Sequence, residues 1–256
     1  MTLTPESAAL LLPEGTRLVH IGPPKTGTTT LQSAFHAART AIAAEGVRYG
    51  GNARQPVKPV LAVTGRPAPL SGVPPPITTW QRLVREVDRA REPRAVISSE
   101  FFADAQPEAI QTIVRDLGGV RVHIAITLRP LARILPSQWQ QYVQSGMRAS
   151  YDTWLDEMFN KPNTKLVPTF WQRHRHDRLV ARWAEVVGPQ NVTVVVLDEG
   201  DHAMVLRTFE TLLGLSTGIL VADEDLENRS MTFAEAEVVR AFNIAFREEG
   251  LGTPLH

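Results

Sequence analysis

The residues best suited to chemistry form one run, His20-Ile21-Gly22-Pro23-Pro24-Lys25-Thr26-Gly27-Thr28-Thr29-Thr30-Leu31-Gln32. It follows the apolar stretch Arg17–Ile21 and opens a segment of helical period, with Leu31, Phe35, Ala38 and Ile42 on one face. A loop between a strand and a helix start presents amides that no helical carbonyl takes, and the helix dipole there favours an anion. Gly22 and Gly27 permit a tight turn, and Pro23 and Pro24 stiffen the approach. Lys25 adds a full positive charge, while Thr28, Thr29 and Thr30 add hydroxyl donors. These residue types in this order predict a phosphate cradle. A nucleoside-triphosphate loop of the form G-x-x-x-x-G-K-[ST] needs its lysine directly after the second glycine. Gly22, Gly27 and Thr29 fit that form, but Thr28 takes the lysine's place and the lysine stands at Lys25. From there it sits over the outer, leaving end of a bound donor.

Pro24-Lys25-Thr26-Gly27-Thr28-Thr29 resembles the 5′-phosphosulfate loop of sulfotransferases that use 3′-phosphoadenosine 5′-phosphosulfate (PAPS). With the run Ser137-Gln-Trp-Gln-Gln-Tyr-Val-Gln-Ser-Gly146, the chain resembles bacterial members more than the animal cytosolic enzymes. The resemblance implies that Lys25, Thr26, Gly27, Thr28, Thr29 and Thr30 hold the donor. It also implies that Arg129, at the end of a strand, and Ser137 hold the 3′-phosphate. An arginine fork gives phosphate charge-assisted contacts that a neutral group cannot match. A looser likeness, Asn228-Arg229-Ser230, would bring Arg229 to the nucleotide. The implied reaction is in-line, metal-independent sulfuryl transfer to a hydroxyl or amine. Lys25 and the loop amides would neutralise charge on the departing phosphate oxygen. An acceptor hydroxyl loses a proton as it attacks, and Glu100, just after the apolar run Arg94–Ser99, is the candidate base. If that strand lies beside the first, its end opens onto the same crevice as Lys25. His20, expected to face into the sheet, and His36, two turns into the helix, are the other candidates. No motif names the acceptor, which is a small molecule, carbohydrate or lipid in this reading.

The elements that must position these residues alternate short apolar runs with helical stretches, which predicts βα units and an α/β fold. The expected architecture is one three-layer P-loop-type domain over 1–256, with a central parallel sheet flanked by helices. Strands are expected at Arg17–Ile21, Arg94–Ser99, Val120–Leu128 and Asn191–Leu197. Helices are expected from Thr28 to near Gly46, and over Pro107–Leu117, Phe170–Val187, His202–Leu213 and Thr232–Glu249. Pro56, Pro59, Pro67, Pro69, Pro74, Pro75 and Pro76 predict an irregular segment over 56–79, a linker or a lid over the acceptor. Pro136 predicts a kink that leaves Ser137 at the start of a new helical segment with free amides.

Composition removes other classes of function. Lysine plus arginine, 27, equals aspartate plus glutamate, 27, so no basic surplus points to nucleic acid. The absence of cysteine excludes disulfides, cysteine-ligated metals and thiol catalysis, and fits a reducing cytoplasm. The opening MTLTPESAALLLPEG carries Glu6 and no basic start, unlike a signal peptide, and no apolar run approaches a membrane span. His174 and His176 are two apart on an expected helix and point different ways, which predicts a solvated basic face rather than a metal pair. Two other readings stay open: a P-loop kinase using ATP and Mg²⁺, and a catalytically inactive nucleotide-binding protein on the same fold.

Overall fold

A computed structural model describes residues 10–69, 71–161, 169–223 and 231–251. Its first elements are β1 (Arg17–Ile21), α1 (Thr28–Ala37), α2 (Arg39–Ala44), β2 (Val47–Tyr49), α3 (Val57–Val63) and α4 (Thr78–Asp88). Next come β3 (Arg94–Ser98), a 3₁₀ turn (Glu100–Asp104), α5 (Pro107–Asp116), β4 (Val122–Leu128), α6 (Leu131–Gln144) and α7 (Tyr151–Asn160). The chain continues through α8 (Phe170–His174), α9 (His176–Val187), β5 (Val192–Val196), α10 (Met204–Leu213) and α11 (Phe233–Glu248). It divides into two compact units, Met1–Leu128 with Arg175–Leu226, and Arg129–His174 with Glu227–His256.

The first unit is a three-layer α/β fold of the P-loop type. Its five strands run in the order β2-β3-β1-β4-β5, and every pairing is parallel. Side chains alternate across a strand, so each face of the sheet needs its own cover. Val19 and Ile21 enter a core with α3, α4, α5 and α9, through Val60, Trp80, Ile113 and Trp183. Leu18 enters a second core with α1 and α10, through Leu31, Phe35 and Phe209. The parallel register sets His20 against Ser98 of β3, so the chain leaves β1 and β3 side by side at one edge of the sheet.

The second unit gathers α6, α7, α8 and α11 around aromatic rings. Trp154 meets Phe170 edge-on at 5.6 Å, and Trp139 stacks on Phe233 at 5.8 Å. A reciprocal cap between Thr232 and Glu235 starts α11. Asn243 then ties it to α6 by donating to the Val143 carbonyl at 2.7 Å.

Several expectations are corrected. Segment 56–79 is not irregular throughout: α3 fills Val57–Val63 and α4 begins at Thr78. Pro59 is the third residue of α3, where the missing N–H is one the helix leaves unpaired anyway. Burial of Val60, Leu61 and Val63 holds that short helix. The helix from Thr28 breaks at Ala38 into α1 and α2, and the helix from Phe170 breaks at Arg175 into α8 and α9. α6 passes through Pro136 without ending. Ile134 and Leu135 before it, and Gln138 and Trp139 after it, are all buried, which offsets the one lost helical bond. Ser137 therefore stands inside a helix, not at the start of one. His174 is buried against the Phe170 ring at 4.6 Å, not solvated. No helix among the described residues is long and apolar enough to cross a membrane.

Candidate active site

The loop between β1 and α1 is built by its own side chains. Thr26 is fully buried, and both its amide and its hydroxyl donate to the Pro23 carbonyl, at 3.2 and 2.7 Å. The Thr28 hydroxyl donates to the Gly22 carbonyl at 2.9 Å. A Cβ on Gly22 would stand 1.8 Å from that hydroxyl oxygen, so only glycine allows the loop to close here. Gly27 caps α1 in the left-handed region at φ 72° and offers no side-chain cap. The first amides of α1, from Thr28 onward, therefore have neither a helical carbonyl nor a capping oxygen from Gly27. Lys25 also takes a positive φ, 72°, the one non-glycine among the described residues to do so. An L-residue held there costs on the order of 1–2 kcal/mol, and such strain concentrates at functional loops. Thr29 is exposed and Thr30 half-buried.

Beneath the loop runs a buried polar chain. His20 on β1 bonds Ser98 of β3 through Nδ1 at 2.7 Å and Thr127 of β4 through Nε2 at 3.1 Å. The Thr127 oxygen lies 3.1 Å from the Thr26 oxygen, which links three strands to the loop. His20 is fully buried, and the Phe209 ring meets it edge-on at 4.9 Å. Burial pushes its pKa down to about 3, so the ring is neutral at physiological pH. It is a strut of the loop rather than a proton acceptor at the surface.

Glu100 follows β3 in the same unit and opens the 3₁₀ turn, where the Phe101 amide donates to the Ser99 side chain at 3.2 Å. Gln55 donates its side-chain amide to Glu100 Oε2. Two arginines fix the rest of the turn. Arg66 pairs with Asp104 and lies over the Phe101 ring at 5.7 Å, while Arg182 donates to the Ala103 carbonyl at 2.8 Å. Because β1 and β3 are parallel neighbours, Lys25 and Glu100 follow adjacent strand ends. His36 is exposed on α1, with an Arg39 guanidinium nitrogen 3.5 Å from its Nδ1.

The structure thus brings Lys25, Thr26, Gly27, Thr28, Thr29, Thr30 and Glu100 into one unit. Arg129 and Ser137 belong to the second unit: Arg129 directly follows β4 in the chain, and Ser137 lies on α6. Arg229 lies outside the described residues. Sequence reasoning missed Gln55, and it missed Gln32, which is buried and donates to the Ser98 carbonyl at 3.3 Å. Both act across the sheet edge, and no local pattern marks them. Among the described residues, no group of three or more His, Asp or Glu side chains is arranged to hold a metal ion.

The fold is shared with a solved bacterial protein. The crystal structure of a sulfotransferase from Alicyclobacillus acidocaldarius superposes with a TM-score of 0.57 and 17% identity, over 92% of this chain and 95% of that one. A mouse sulfotransferase complexed with PAP gives a TM-score of 0.45 and 16% identity, over 97% of this chain and 71% of that one. No family model and no curated protein matches the chain.

Proposed function

We propose that the chain is a sulfotransferase that moves a sulfuryl group from PAPS to a hydroxyl or amine of a small-molecule, carbohydrate or lipid acceptor. The observation that carries this reading is Lys25, held at φ 72° between Gly22 and the first turn of α1. A triphosphate loop places its lysine after the second glycine; here the charge is inside the loop, next to the leaving end of an anion seated on the α1 amides. The loop fits a 5′-phosphate in its other parts too. Thr26 and Thr28 spend their hydroxyl protons on Pro23 and Gly22, which leaves amides as donors at the helix start.

In this reading the acceptor oxygen bonds to sulfur as the bond from sulfur to the 5′-phosphate oxygen breaks. Lys25 and the amides of Thr28, Thr29 and Thr30 stabilise the charge that grows on that phosphate oxygen. Glu100 takes the acceptor proton: Gln55 holds Oε2, and we assign the proton to Oε1. The 3′-phosphate is assigned to Arg129 and Ser137, with Arg229 as a further contact, on the resemblance of their motifs. The proline-bearing connection between α3 and α4 is assigned as acceptor cover. Its Arg66 is anchored on the turn that carries Glu100.

A mass-spectrometric screen tests the reading. The protein is incubated with hydroxyl and amine acceptors of each class, with either PAPS or ATP plus Mg²⁺. The expected result is an acceptor gaining a sulfuryl group only with PAPS. A phosphoryl group gained from ATP instead would overturn it.

A further inference from the structure

A cleft of about 370 Å³ lies away from the phosphate loop, lined by Arg48, Asn52, Arg82, Arg85, Glu86 and Arg89. All six residues belong to the first unit. Their convergence follows from two periodicities. On β2, Val47 and Tyr49 enter the core on one face of the sheet, so Arg48 turns to the other. On α4, Trp80, Leu83 and Val87 are buried, which leaves Arg82, Arg85 and Glu86 on the solvent side, with Arg89 just past its C-terminal end.

The charges in the cleft are not balanced. Glu86 is the lone acid of the lining, and it accepts from the Gly51 amide at 3.1 Å instead of pairing with an arginine of its own helix. Arg48 pairs with Glu92 at 3.0 Å through one terminal nitrogen, while its Nε is buried with no hydrogen-bond partner among the described residues. Arg82, Arg85 and Arg89 make no ion pair among the described residues. In a chain whose formal charge is zero, three unpaired guanidiniums and a fourth half-paired one crowd a single cleft. Like charges held together repel, and a bound anion relieves that cost.

We infer that this cleft is a second anion site, which takes a compact ligand carrying two or more phosphate or sulfate ester groups. Guanidinium forks bind such oxyanions in pairs of parallel hydrogen bonds. The volume suits a pyrophosphate or a sugar bis-ester, near the lower end of small-molecule sites. Asn52 supplies a neutral polar side chain for a hydroxyl. The site is separate from the phosphate loop: the loop follows β1, the cleft lies on β2, and β3 stands between them. Two strand spacings make that about 10 Å across the sheet. The inference stands whether or not the loop transfers sulfuryl groups.

Arginine footprinting on the full chain tests it residue by residue, so that anions bound at the loop do not confuse the result. The protein is labelled with phenylglyoxal at low ionic strength, alone or with pyrophosphate, a disulfated disaccharide or the neutral disaccharide, and mapped by mass spectrometry. Labelling of Arg82, Arg85 and Arg89 should fall several-fold with at least one of the two anions and stay constant with the neutral sugar. Protection by pyrophosphate alone assigns a phosphate ester, and protection by the sulfated sugar alone assigns a sulfate ester; either supports the site. In Arg85→Gln, an exposed change, the concentration that protects Arg82 and Arg89 should rise about tenfold, as expected for one charged hydrogen-bonding group lost. No protection by either anion, equal protection by the neutral sugar, or an unchanged concentration in the variant would overturn the inference.

Discussion

His20 offers a quantitative test of how the loop is supported. Its ring is fully buried, neutral, and bonded to Ser98 and Thr127, with a pKa near 3 against 6.5 in an unfolded chain. Between those two values the unfolded state binds one proton more than the folded state. Stability therefore falls as pH drops through that window, by roughly 1.4 kcal/mol per unit, and is fully present above it. From pH 6.5 to pH 5 the His20 share is about 2 kcal/mol. Other groups titrate in the same range, so the test is a difference between wild type and His20→Gln, in which they cancel. Urea unfolding followed by tryptophan fluorescence gives both stabilities. At pH 7 the variant should be less stable by about 1–3 kcal/mol, from lost bonds to Ser98 and Thr127. At pH 5 the gap should shrink by about 2 kcal/mol, because only the wild type carries the proton penalty. A gap that stays constant with pH would refute the claim that His20 is held neutral beneath the loop.

The chemistry and its strain give further tests. Lys25→Ala should lower turnover on the order of 10²–10³-fold while donor affinity changes far less; single-turnover kinetics beside calorimetry would separate the two. Lys25→Gly should unfold at higher urea than Lys25→Ala, by about 1 kcal/mol, because glycine adopts the positive φ of Lys25 without strain. Arg129→Ala should weaken binding of 3′-phosphorylated nucleotides and leave binding of nucleotides without that phosphate nearly unchanged, read by calorimetry with matched pairs. Glu100→Gln should depress the rate across the pH profile; a profile equal to wild type would place the base elsewhere and make His36→Ala the next variant.

The strands that carry the site were legible because each is a short apolar run between turn residues. β1, β3, β4 and β5 lie within two residues of their expected bounds, and the loop lies where Gly22 and Gly27 predict it. β2 was not legible: three residues, Val47–Tyr49, are too few to show a period, and the strand exists because β3 offers an edge to pair with. Proline misled twice, at Pro59 and Pro136, because its cost depends on position in the helix and on burial of its neighbours. The polar chain below the loop was hidden for another reason. Ser98 and Thr127 stand 78 and 107 residues from His20 in sequence, and only the parallel register makes them neighbours. The same holds for Gln55 and Glu100, 45 residues apart. The roles of Thr26 and Thr28 were half legible: their place in the loop follows from sequence, but their inward hydroxyls depend on where the Pro23 and Gly22 carbonyls point.

The proposed role of the Lys25 loop is to hold a sulfuryl donor rather than a triphosphate. Isothermal titration calorimetry of the full chain with 3′,5′-ADP in EDTA, set against ATP with Mg²⁺, tests it most directly. 3′,5′-ADP should bind without metal and more tightly than ATP with Mg²⁺. Tighter binding of ATP with Mg²⁺, or binding of 3′,5′-ADP that requires the metal, would contradict it.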